Sequence, residues 1–140
     1  MILWASSETY KPAHRAMDSV RSAVVPQLNA MFKLSRLSDL EVELRYIPVI
    51  MPAGIREQFP GRSKLRRNLR IYDCAPQLDY DIFVDGTFED QLREYLRGIA
   101  ESAPHLAGLG ATPEQVRDFE QIMATAVERI LAERRDQTRH

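Results

Sequence analysis

The chain is 140 residues long, 44% hydrophobic and 28% charged, ordinary proportions for one globular domain that needs neither metal nor disulfide to fold. Its 19 Lys and Arg against 20 Asp and Glu leave a net charge of -1, which excludes a global electrostatic drive toward nucleic acid or anionic membrane. No apolar run approaches the ~20 residues of a membrane-spanning helix, and the first residues lack the basic start and apolar length of a secretory signal, so a cytoplasmic protein is expected.

Residues 2–5 are apolar and run into the polar residues 6–9, which predicts a short buried strand and a turn. Pro12 then opens a helix over residues 13–33, because Met17, Val20, Val24, Leu28, Met31 and Phe32 recur every three or four positions. Pro26 cannot donate to the Ser22 carbonyl and predicts a kink or break. Residues 40–51 alternate and then turn wholly apolar, as a strand entering the core does. Residues 52–68 hold Gly54, Pro60 and Gly61 among basic side chains and are expected to form a long loop, a kind of segment that is frequently functional.

Residues 69–72 and 78–84 are expected to pair as a hairpin around Ala75, Pro76 and Gln77, with Tyr80, Ile82 and Val84 on one face and Asp79, Asp81, Phe83 and Asp85 on the other. Gly86 and Thr87 mark a helix start, and the stripe Phe88, Leu92, Tyr95, Leu96 and Ile99 ends before Pro104. Thr112, Pro113 and Gln115 form a capping box that opens a last helix through Leu131, whose charged tail from Glu133 is expected to fray. The fold class is α+β in a single domain, 1–140, with a mostly antiparallel sheet of about four strands and three helices packed largely on one face.

The chemistry-bearing residues point away from catalysis. His14, His105 and His140 have no metal-binding spacing, so no metal and no cofactor is expected. Cys74 is alone and reads as a packed thiol. Ser6 and Ser7 lack the Gly-x-Ser-x-Gly turn, and Gly108, Leu109 and Gly110 lack the remainder of a phosphate-binding loop. An enzyme would need a site assembled from distant carboxylates such as Glu8 and Asp81.

Charge is segregated along the chain. Arg56, Arg62, Lys64, Arg66, Arg67 and Arg70 fall close together, and Asp73, Asp79, Asp81, Asp85, Glu89 and Asp90 follow without an intervening basic residue. Solvated faces usually mix their signs, so two such blocks either pair with each other or steer a partner of complementary charge. Asp73, Asp79, Asp81 and Asp85, with Arg56, Arg62, Lys64, Arg66 and Arg67, are therefore the candidate partner-binding residues. The alternative is a small nucleic-acid-binding module that uses the basic segment 56–70, although no interleaved aromatic residues support stacking.

The opening Ile-Leu-Trp-Ala-Ser-Ser-Glu-Thr, the segment 44–51 (Leu-Arg-Tyr-Ile-Pro-Val-Ile-Met), the basic loop, the segment 79–85 (Asp-Tyr-Asp-Ile-Phe-Val-Asp) and the helix after Phe88 resemble the small immunity proteins of bacterial polymorphic toxin systems. The resemblance spans residues 1–103 and carries no catalytic signature. It implies a non-enzymatic inhibitor that binds the C-terminal domain of a cognate toxin, a nuclease or another intracellular effector, and blocks its active site.

Overall fold

A computed structural model describes residues 1–138. In chain order the elements are β1 (Ile2–Ala5), β2 (Glu8–Thr9), α1 (His14–Lys33), β3 (Glu43–Tyr46), β4 (Val49–Ile50), α2 (Ala53–Arg56), β5 (Lys64–Arg66), β6 (Ile71–Cys74), α3 (Tyr80–Asp85), α4 (Phe88–Ala100), α5 (Ala103–Leu106) and α6 (Pro113–Thr138). The α+β class is as expected. The main sheet has four strands in the order β1-β3-β6-β5, and its direction departs from expectation: β1, β3 and β6 run parallel, and only β5 is antiparallel.

The parallel arrangement follows from the connections. The long helix α1 joins β1 to β3, and a crossover of that length returns the chain to the same end of the sheet, whereas a tight turn would reverse it. The two-residue strands β2 and β4 continue the same pair, since Ser6 N–H donates to Tyr46 O and Glu8 N–H to Pro48 O, each at 3.0 Å.

The one hairpin lies earlier than expected, joining β5 to β6 through a 3-10 turn at Arg67–Leu69 that Arg70 closes in the left-handed region at φ 54°. Residues 52–68 are thus not one loop, because α2 and β5 interrupt them. The segment expected as the second hairpin strand is helical. Asp79 caps α3 by accepting the Asp81 N–H at 3.0 Å, and its own N–H donates to the Glu94 carboxylate at 2.7 Å, an arrangement that serves the donors of a helix start rather than a strand ladder.

There are also more helices than the three expected, since the short α2, α3 and α5 accompany the long α1, α4 and α6. The long three pack on one another, and α1 also packs on β1. The apolar face of α1 carries Met17, Val20, Val24, Leu28, Met31 and Phe32, all buried, and the helix continues through Pro26 without a break. The capping box of α6 is formed as the residues predict: Thr112 Oγ1 accepts the Gln115 N–H at 3.1 Å and Gln115 Oε1 accepts the Thr112 N–H at 2.9 Å. The tail expected to fray is helical to Thr138, and the Arg134 guanidinium lies 3.6 Å from the centre of the Phe88 ring, a cation–π contact between α6 and α4.

Between helices and sheet lies one core. Leu3, Leu44 and Tyr72 stand side by side across the strands, and Ala5, Tyr46 and Cys74 form the next row. Tyr46 donates its hydroxyl to Tyr95 O at 2.8 Å and meets the Tyr95 ring edge to face at 4.9 Å between centres. Helix α4 comes close enough for this only at Gly98, where a methyl group would lie 2.1 Å from the Tyr46 hydroxyl oxygen. At the sheet margin, Asn29 of α1 grips β1: its Oδ1 accepts the Leu3 N–H at 2.8 Å and its Nδ2 donates to Leu3 O at 3.0 Å.

Candidate interaction face on the sheet

Side chains alternate across a strand, so the rows packed on the helices imply complementary rows on the other side. In register these are Ile2, Glu43, Ile71 and Arg66, then Trp4, Arg45, Asp73 and Lys64. The three long helices pack against the other side, and this second face is most exposed at its β1 margin, where Ile2 is 60% exposed and Trp4 49% exposed. Residues 2–5 are therefore not a strand buried on both sides. Ile71, on the central strand β6 and flanked by Glu43 and Arg66, is buried.

The charges on this face are partly spoken for. Arg66 pairs with Asp73: Nη2 donates to Oδ1 at 3.0 Å, and Nε lies 2.7 Å from Oδ2 in a charge contact. Arg45 pairs with Glu43 at 3.3 Å along β3. Such pairs on an exposed surface contribute a few tenths of a kcal/mol up to about 1 kcal/mol, so they orient side chains more than they stabilise the fold. Lys64 has no ion-pair partner among the described residues. The result is two large apolar groups at one margin and a mixed, net-positive field across the remainder.

The sequence-derived candidates divide between this face and other places. Lys64 and Arg66 on β5 and Asp73 on β6 lie on it, where Arg66 and Asp73 neutralise each other. Arg62 precedes β5, Arg67 opens the 3-10 turn, and Arg56 ends α2, where its carbonyl accepts from Gln77 Nε2 at 3.4 Å. Asp79 caps α3 and Asp81 and Asp85 belong to it; the helix packs on α4 and on the 3-10 turn Lys11–Ala13, with Tyr80 edge to face with Tyr10 at 6.0 Å. The expected acidic strand face does not exist. Asp79 works as a helix cap, and Asp81 and Asp85 are exposed on α3.

Trp4, Ile2, Glu43 and Arg45 escaped the sequence reading. The available signal was a short strand with apolar residues at consecutive positions, of which the helices have room for only one side.

The Cys74 thiol is buried, lies 3.4 Å from Gly98 O, and is pushed up to about 11 by burial, so it is protonated and inert at neutral pH. His14 Nε2 lies 2.6 Å from Thr9 O, and His105 stacks on Tyr72 at 4.6 Å between ring centres. His140 lies outside the described residues. Among the described residues no three His, Cys, Asp or Glu side chains group to hold a metal ion, and no helix is long and apolar enough to cross a membrane. No protein-family model, curated protein or solved structure gives a significant match to this chain.

Proposed function

We propose that this chain works by binding another protein through the open face of its sheet, and that it is the cognate immunity protein of a bacterial polymorphic toxin. The observation that carries the binding role is Trp4, half exposed beside Ile2 on the side of the sheet opposite the rows that pack on the helices. A large aromatic group at the margin of the face, beside Ile2 and with Arg45 and Glu43 on the adjoining strand, has the make-up of an interface hot spot bordered by polar groups. The toxin as partner rests on the resemblance of residues 1–103, which supplies what an exposed face cannot. In this reading inhibition is steric: the face covers the toxin's active site or substrate path, and no covalent bond is made or broken.

The sequence has a single tryptophan, so the proposal has a built-in reporter. Mixing with the C-terminal domain of the toxin encoded beside it shifts Trp4 emission to the blue and shields it from iodide. Trp4→Ala then weakens binding by about thirtyfold or more, the scale of a hot-spot residue near 2 kcal/mol, and cells expressing the toxin domain lose protection. Unchanged emission together with full protection by the Ala variant would overturn the proposal.

The nucleic-acid alternative draws on Arg62, Lys64 and Arg67, which lack ion-pair partners among the described residues. Against it, Arg66 is occupied by Asp73, and the face offers one aromatic ring rather than a row of them. Salt-dependent retention on random RNA would revive it.

A further inference from the structure

The sheet has two outer strands, and they are finished differently. At β1 the outward backbone groups of Leu3 are both taken by Asn29. At β5, among the described residues, no side chain takes the outward backbone groups in this way. Glu43 N–H donates to Arg70 O and Ile47 N–H to Cys74 O, so the even-numbered residues of β6 turn their backbone toward β3. Ile71 and Asp73 consequently turn theirs toward β5, opposite Arg66 and Lys64. Between those two, Leu65 directs its N–H and C=O away from the sheet. A cleft of about 450 Å³ is lined by residues 64–69, which are β5 and the turn that follows it.

We propose that this edge accepts an extended acidic segment of the protein partner as an added strand, a proposal that rests on the protein-binding reading above and specifies the chemistry of what binds. Charge selects the occupant. Lys64 points to the open face without an ion-pair partner among the described residues, while Arg66 beside it is held by Asp73, so an added strand that places a carboxylate beside Lys64 is favoured. A second copy of β5 would set like charges against each other, which rejects self-pairing. On the other side, Leu65 packs beside the Ala107–Leu109 turn, where a methyl on Gly108 would lie 3.1 Å from Leu65 Cδ2 and 4.0 Å from Arg67 Nη2, and exposed Leu69 is part of the cleft lining. The matching segment therefore alternates acidic and apolar residues, with the apolar ones on the Leu65 side.

The test uses the full-length ¹⁵N-labelled chain and three short peptides: one alternating Glu and Val, one alternating Lys and Val, and the Glu–Val peptide methylated at alternate backbone nitrogens. The Glu–Val peptide is expected to perturb the Leu65 amide and slow its hydrogen exchange. The Lys–Val and methylated peptides are expected to bind at least about tenfold more weakly, as is the Glu–Val peptide to the Lys64→Glu variant. Equal binding of the methylated peptide would reduce the contact to charge alone and overturn strand addition, as would perturbations centred away from β5 or no binding. The two proposals fail separately. Absent peptide binding with protection still lost in Trp4→Ala removes only the edge, and intact protection in Trp4→Ala removes only the role of the open face.

Discussion

Glu94 receives hydrogen bonds from the Asp79 N–H at 2.7 Å, from Arg97 Nε at 2.6 Å and from Arg97 Nη2 at 3.1 Å. Arg97 Nη1 also reaches Glu101 at 2.7 Å. Arg97 above all, with the Asp79 amide adding to it against the opposing effect of burial, holds the Glu94 carboxyl below its ordinary value of 4.5. A carboxyl depressed on folding contributes stability that is fully present above its unfolded value and is lost as pH falls through the folded one. Glu94→Gln should therefore be less stable than the parent at neutral pH, and the two urea midpoints should converge as the solution is acidified below about 4.5. A constant gap across that range would show that the ionised form has no special role. The same contacts explain why residues 78–84 misread. Their Tyr80, Ile82, Val84 alternation suits a strand, and the carboxylate that fixes the helix start is fifteen residues away, beyond the reach of a local pattern.

At the level of elements, legibility tracked how much of the decision was local. Helix α6 carries its own start signal in Thr112 and Gln115, and α1 and α4 carry long stripes whose period admits one reading. Thr112→Ala removes one cap acceptor and should cost about 1 kcal/mol, read as a lowered midpoint in urea with unchanged cooperativity. No change would mean that the reciprocal bond from Gln115, whose Nε2 also reaches Arg36 O at 3.1 Å, suffices alone. The strands were harder. Strand β5 is three residues in a Gly- and Arg-rich stretch, and its strand character comes from pairing with β6, so its own sequence does not declare it. The open face was missed for a related reason: consecutive apolar residues 2–5 look buried on both sides until the helices are known to cover one. Lys64, Arg66 and Asp73 were legible as charged candidates because charge needs no partner to be seen, but their mutual pairing needed the β5–β6 register.

For the molecule as a whole, the decisive asymmetry is that helices occupy one side of the sheet and a side-chain amide occupies one end. Asn29→Ala should leave the Leu3 N–H and C=O unpaired at the β1 edge, costing about 1 kcal/mol or more in a urea melt. The variant should also gain a concentration-dependent increase in mass by light scattering, since a bare edge invites pairing. A strictly monomeric variant of undiminished stability would show that water serves that edge equally well. A repeating unit with two adhesive ends builds a fibre, whereas a unit with one can only terminate. By spending a single carboxamide on β1, the chain closes the Leu3 position of that end to an incoming strand and biases backbone pairing toward β5.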